Sequence, residues 1–183
     1  MRIFLALMIF LYGFSAPKAV GPVFEVKNGT ILFHSSAELE LIKASSEQLK
    51  GLVDIEKKNF AFKVAMNSFR GFNSPLQQEH FNENYVESGL FPDASFKGKI
   101  IEDDDLTKEG TYIIRAKGML IIHGVSQERI IRSTVTVKQG RIKLNTNFTV
   151  MLTDHNIKIP RIVSEKLSSE IKVEIQADLE SMK

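Results

Sequence analysis

Between Gly110 and Leu152 the chain spells three consecutive β-strands, and each one is two-sided. In the first, Tyr112, Ile114, Ala116, Gly118, Leu120 and Ile122 share a face, with Arg115, Lys117 and His123 opposite. In the second, Ile131, Val135 and Val137 oppose Arg132, Thr134, Thr136 and Lys138. In the third, Ile142, Leu144, Phe148, Val150 and Leu152, with Thr146 among them, oppose Arg141, Lys143, Asn145, Asn147 and Thr149. Period-two alternation marks an antiparallel sheet with one dry and one wet face. Strands of roughly eleven to thirteen residues are about twice the usual length. Long, twisted, one-sided strands escape an exposed edge by curling until the sheet closes on itself, and the dry face becomes an interior.

The rest of the chain reads the same way. Val23 to Val26 and Thr30 to Ser35 are expected as opening strands, broken at the turn pair Asn28-Gly29. Glu38 to Ile42 alternates, with Leu39 and Leu41 on its apolar side, and Ala44 to Leu49 is polar enough for a loop or short helix. Gly51 to Glu56 is a short strand. Phe60 to Met66 sets Phe60, Phe62, Val64 and Met66 against Ala61, Lys63 and Ala65. Ser74-Pro75-Leu76-Gln77 then opens a helix of about ten to thirteen residues: a serine cap, proline at the first position and a glutamine to complete a capping box. Phe81 and Tyr85 share one face of it, and Gly89 is the expected stop. Ala94 to Ile101 turns Phe96, Gly98 and Ile100 inward, and the last strand does the same with Ile171, Val173, Ile175, Ala177 and Leu179. The expectation is an all-β protein: an antiparallel barrel of about eight strands with one inserted helix across an end.

Residues 1 to 16 read as a cleaved secretory signal: Arg2, an apolar run from Ile3 to Tyr12, then small residues ending Ser15-Ala16. Residues 17 to 183 are expected as one domain. The chain has no cysteine, so it has neither a disulfide framework nor a thiol for a lipid anchor. Its 24 basic and 22 acidic residues nearly balance. That gives no electrostatic case for nucleic acid or for capture by an anionic membrane through net charge.

The chemistry-bearing residues are sparse. His34, His80, His123 and His155 show no metal-site spacing, and His123-Gly124 is expected to make a turn. Glu102-Asp103-Asp104-Asp105 does not match a calcium loop and is expected as a solvated turn. There is no nucleophile elbow and no phosphate loop, so no catalytic residue, metal or cofactor is assigned. What remains is the interior of the barrel, and the small Gly98, Ala116 and Gly118 leave two readings of it open. They vacate room for an apolar guest, or they accommodate bulky neighbours and mark strand bends. On the first reading the guest is lined by Phe60, Phe62, Val64 and Met66, by Phe96 and Gly98, and by Ile114, Ala116, Gly118 and Leu120. Val135, Leu144, Phe148, Val150 and Ile175 complete the wall from the later strands.

The segment Gly118-Met119-Leu120-Ile121-Ile122-His123-Gly124-Val125-Ser126 resembles the G-x-L-T-I-H-G-V-T hairpin of the YceI-like family. So does the order of Phe62 to Phe69, Gln78-Glu79-His80-Phe81, and Phe91-Pro92-x-Ala94-x-Phe96. The resemblance implies an exported, lipocalin-like barrel, typically periplasmic, that binds a polyisoprenoid or similar long-chain lipid in its lumen without catalysis or stable membrane insertion. Two alternatives stand beside it. An outer-membrane barrel would turn the apolar face to lipid, but the long helical insert and the absence of aromatic girdles argue against that. An enzyme for a hydrophobic substrate would need acid–base groups on the inner face, which is almost free of them.

Overall fold

The computed structural model describes residues 22–182; the expected signal at 1–16 lies outside the described residues. Nine strands form one antiparallel sheet: β1 (Val23–Ser36), β2 (Leu41–Ser46), β3 (Lys50–Asp54), β4 (Asn59–Ala65), β5 (Asp93–Ile100), β6 (Gly110–Ile122), β7 (Val125–Lys138), β8 (Arg141–Met151) and β9 (Glu170–Ser181). β1 pairs with β9 from Phe24 opposite Ser181 to Ser35 opposite Ile171, which closes the barrel. β2 and β3 follow one another down the other edge of β1, so together they form one stave and the nine strands make an eight-stranded barrel. Between β4 and β5 stands the inserted helix α1 (Pro75–His80), continued by a π-turn over Phe81–Tyr85.

The long strands follow their alternation. Ile114, Ala116, Leu120, Ile131, Val135, Val137, Ile142 and Val150 are buried, while their neighbours Arg115, Lys117, Arg132 and Lys143 face water. The dry face is therefore inside, opposite to the arrangement of a transmembrane barrel. The two hairpin turns that join these strands are tight. His123-Gly124 and Gln139-Gly140 all have positive φ, between 50° and 70°, which matches the twist of the flanking strands.

The opening of the chain departs from its expected form. Asn28-Gly29 does not turn the chain; β1 runs through it, and the register against β9 shifts between Val26 and Asn28. The turn-favouring pair serves a bulge inside one long strand. β2 begins at Leu41 rather than Glu38, and it takes in Ala44 to Ser46, the first part of the segment that reads as a loop or short helix. Its inward residues are Ile42, Ala44 and Ser46, so Leu39 and Leu41 face water. Above β3, β2 has no strand on its far side; a single bridge joins Ser45 to Arg70, with both N–H···O bonds at 2.8 Å. The inserted segment takes the place of the missing strand, pinned by the buried Ser46 and Ser68 hydroxyls 2.6 Å apart.

Two further features of the wall bear on the interior. The Ser74 hydroxyl caps α1 by accepting from the Gln77 N–H at 3.1 Å, while the Gln77 side-chain oxygen accepts from the Asn73 N–H at 3.0 Å. The stop is not Gly89: the chain turns at Glu87, whose φ is 45°. On the opposite side the β7–β8 ladder ends at Ser133–Thr146, and beyond it the strands part. Side chains cross the gap. Arg129 donates to the Thr149 carbonyl (2.7 Å), Gln127 to the Asp154 carbonyl (2.8 Å), and the Thr146 hydroxyl to the Arg132 carbonyl (2.8 Å).

Gly98 and Gly118 pair across β5 and β6. A Cβ on Gly98 would overlap the Lys117 carbonyl oxygen, and one on Gly118 the Lys97 carbonyl oxygen. These glycines permit a close approach of two backbones at a bend of the wall. Gly98→Ala or Gly118→Ala is expected to cost about 2–3 kcal/mol, because backbone must move. Gly89→Ala, with nothing within 4 Å of its added carbon, is expected to stay within about 0.5 kcal/mol. Urea unfolding of the three variants measures the contrast; a Gly98→Ala protein as stable as the parent would refute the close-approach reading.

Candidate functional site

Closing the sheet leaves an interior that its side chains do not fill. Two adjoining chambers lie along the barrel axis, a lower one of ≈ 120 Å³ and an upper one of ≈ 470 Å³. Ile31, Val64, Ala94, Leu120 and Phe148, from five strands, border both. Thirteen of the fifteen residues expected at the lumen line it. Phe60, Phe62, Val64, Phe96, Ile114 and Ala116 line the lower chamber, as do Leu120, Val135, Leu144, Phe148 and Ile175. Met66 and Val150 line the upper one, joined there by Val64, Leu120 and Phe148. Met66 does so from a single 3₁₀ turn beyond the end of β4, not from the strand itself.

The other two, Gly98 and Gly118, line neither chamber. The expectation that they vacate lumen volume is corrected by their mutual approach; only Ala116 leaves room in that sense. Gly51 has a comparable structural reason, since the Phe62 ring lies where its Cβ would be.

The lower chamber is lined almost wholly by apolar groups. Leu106, from the loop between β5 and β6, seals its floor and is itself buried. The acidic run holds that loop in place. The Glu102 carboxylate accepts from the Arg115 backbone N–H and Nε–H, both at 2.6 Å; Asp105 accepts from the Thr107 hydroxyl; Lys58 pairs with Asp103. The hydroxyls of Ser133 and Thr146, a cross-strand pair at the point where β7 and β8 part, line this chamber together with Ser95. Ser133 breaks the apolar pattern of β7, so its inward position was hidden from a hydrophobicity reading.

The upper chamber is walled partly by strand residues and partly by segments that carry no strand period. One side is an aromatic cluster from β1 and the insert. Phe33 stacks on Phe81 at 5.4 Å and touches Phe69 and Phe72. The other side is the loop between β8 and β9, which contributes Leu152, Ile157, Val163, Lys166 and Leu167. Exposed Leu76, His80 and Lys166 on the lining show where the chamber reaches the surface, and Glu40, Ser74, Gln77 and Tyr85 add polar groups there.

Two histidines hold this end together. His123 makes the expected turn and does more. Its Nδ1–H donates to the His155 carbonyl at 3.0 Å, and its Nε2 lies 2.5 Å from Glu87 Oε2, so it ties the insert to the β8–β9 loop. The Phe91 ring packs edge-on against it at 4.6 Å. His155 is fully buried; its Nδ1–H donates to the Val125 carbonyl at 3.2 Å, and among the described residues its Nε2 makes no hydrogen bond. Burial pushes its pKa below the ordinary 6.5, against the raising effect of the Val125 and Ile122 carbonyls. Among the described residues no group of three His, Asp or Glu side chains is placed to hold a metal ion. The geometry is that of a container with an apolar body and a polar rim.

A family model described as the YceI-like domain matches residues 23–179. Solved structures share the fold at low identity. A polyisoprenoid binding domain from Saccharophagus degradans, implicated in plant cell wall breakdown, is 14% identical with a TM-score of 0.73, over 87% of this chain and 98% of that one. Burkholderia cenocepacia BcnA is 11% identical at TM-score 0.68, over 82% and 95%. A Campylobacter jejuni YceI protein is 18% identical at 0.62, over 78% and 85%. No curated protein matches the chain in sequence.

The buried histidine yields a pH prediction. Its folded-state pKa lies below its unfolded value, so in the interval between the two the unfolded chain binds the extra proton. The stability this group contributes is then fully present above about pH 7 and falls as pH drops through 6.5. The carboxylates of Asp54 and Asp105, lowered first by hydrogen bonds from Lys57 and Thr107 respectively, act only further down, below about pH 4. His155→Asn keeps a donor for Val125 and is expected to flatten the dependence of melting temperature on pH between about 7 and 5. An unchanged slope in the variant would remove His155 as the cause.

Proposed function

The chain belongs to the YceI-like domain family, and from that footing we propose that it is a non-catalytic carrier of a long-chain amphiphile, an isoprenoid or similar lipid. The apolar chain lies along the two chambers and the polar end stays at the rim. The carrier works in the periplasm or outside the cell, delivered there by the signal expected at residues 1 to 16. The observation that carries the reading is the lumen: contiguous apolar chambers of ≈ 120 and ≈ 470 Å³, the larger reaching the surface at exposed Leu76, His80 and Lys166. That space lies within the roughly 300–1,000 Å³ range of small-molecule sites. It is lined chiefly by groups that reward methylene and methyl contacts, at roughly 25 cal/mol per Å² removed from water. The isoprenoid identity is supported by the shared fold of the polyisoprenoid binding domain. The thirteen lining residues named above are the proposed contacts, with Lys166, His80, Gln77 and Glu40 nearest the polar end.

The test is solvent extraction and mass spectrometry of the protein purified without its leader, paired with Ala116→Phe. The parent is expected to yield a long-chain lipid. The variant's ring enters the lower chamber, so it is expected to lose most of that lipid or retain a shorter one. Its delipidated melting temperature is expected to be kept or raised, since a buried Phe side chain contributes roughly 1.5–3 kcal/mol. In a solidly packed core the same ring would cost roughly 1–3 kcal/mol. A parent without lipid together with a destabilised variant would refute the carrier reading.

A further inference from the structure

The four most exposed large apolar side chains among the described residues all stand at the open end of the barrel. They are Ile162 (92% exposed), Leu90 (73%), Leu39 (64%) and Leu76 (58%). They belong to separate segments: the β8–β9 loop, the exit of the insert, the β1–β2 hairpin and α1. Three of these segments are fastened to one another. The Leu39 N–H donates to the Glu165 carbonyl at 2.8 Å, and Glu40 Oε1 accepts from Asn73 Nδ2 at 2.9 Å and Gln77 Nε2 at 3.0 Å. Leu39, Leu76 and Ile162 are thus apolar points on one connected rim around the mouth of the upper chamber.

Charge is distributed unevenly around that rim. The β8–β9 loop, residues 152 to 169, contains Lys158, Arg161 and Lys166 against Asp154 and Glu165, with the three cations gathered between 158 and 166. All three cations are exposed, and among the described residues none is held in an ion pair. Ile162 lies in their midst, on the single 3₁₀ turn Arg161–Val163; its neighbour Val163 lines the chamber while Ile162 points to water. The exposed acids Glu38, Glu79 and Glu83 lie on the hairpin and insert side. The near balance of the whole chain therefore conceals a cationic, apolar-tipped edge on one side of the mouth.

We propose that this edge, Lys158 to Lys166 with Ile162 at its tip, docks the open mouth of the barrel onto an anionic phospholipid bilayer. Cations that meet lipid phosphates and an isoleucine that enters the acyl boundary are the two components of interfacial binding. The inference rests on the carrier reading for its purpose: a mouth held against the bilayer lets a long-chain lipid pass without exposing its methylenes to water. A protein partner would call for a contiguous patch, whereas these points are spaced around an opening. The acids opposite tilt the barrel so that the β8–β9 loop leads.

The experiment is flotation of delipidated residues 17–183, which contain the whole closed barrel, with vesicles of equimolar phosphatidylglycerol and phosphatidylcholine. The protein is expected to float with them and to lose most of that binding on phosphatidylcholine alone. Ile162→Ser is expected to weaken partition at least about tenfold, and Lys158→Gln and Arg161→Gln about fivefold each. None of these three residues lines a chamber, so lipid content and melting temperature are expected to stay at parental values. Three results overturn the proposal: no flotation, flotation indifferent to these substitutions, or a dimer in solution that Ile162→Ser dissolves while vesicle binding is unchanged. The lipid-extraction result stands apart. A lipid-loaded protein that does not float refutes the docking alone, and a floating protein that never carries lipid refutes the carrier reading alone.

Discussion

The backbone ladder between β1 and β9 is the contact on which the rest depends. It joins the first strand to the last, from Phe24–Ser181 to Ser35–Ile171, and turns an open sheet into a wall. Without it the inner residues of eight staves would face water and two unpaired edges would offer themselves to other chains. With it, the alternation written into each strand acquires a meaning it lacks locally: every second residue belongs to a shared interior. The wall must bend tightly to close, and the Gly98–Gly118 pair supplies one such bend by letting two backbones meet where any side chain would intervene.

Closure is uneven along the axis, and the unevenness locates the mouth. The lower half is a complete set of ladders, filled by residues such as Phe60, Val135, Ile142 and Leu179 and floored by Leu106. In the upper half β2 has lost its outer neighbour and β7 has separated from β8. The gaps are covered by an aromatic insert on one side and by Arg129, Gln127 and Thr146 reaching across on the other. Side-chain bonds replace backbone ones where the wall widens. That is why the larger chamber lies at this end, and why its lining comes from loops as much as from strands.

The legibility of the chain follows the same division. The inward and outward faces of β6, β7 and β8 could be read because one is wet and the other dry, so any slip of phase would put lysine inside. β2 was misread because it is short, paired along one edge, and carries two serines, Ser45 and Ser46, one of them inward. Asn28-Gly29 has the same composition whether it turns a hairpin or relaxes a bulge; only the partner strand decides. The insert's serine cap was visible, but its end was not, because Glu87 adopts a positive φ that a nearby glycine appeared to claim. Phe69 and Phe72 were invisible as lining residues for a physical reason: roof segments are apolar without periodicity, and nothing local says which way they point. His155 was hidden too, since a histidine buried beside an aspartate in sequence looks like any polar loop.

A lumen of this kind places selectivity in shape rather than in polar contacts. Most polar groups stand at the rim, where water competes for them, and the lower chamber offers a guest few, among them the Ser133 and Thr146 hydroxyls. What it does offer is unfilled volume. An apolar cavity of ≈ 120 Å³ stays dry when empty. At about 24 cal/mol per Å³, leaving it empty costs the free protein on the order of 3 kcal/mol. The folded barrel carries that cost because its ladders and glycine bend hold the wall apart, so the walls do not collapse onto the space. A chain end that slides past Phe148 and Leu120 into the lower chamber recovers the lost packing without ordering any new protein segment. Affinity should therefore rise with each methylene until the floor at Leu106 is reached, and then stop, which makes the depth of the barrel the ruler by which it measures its cargo.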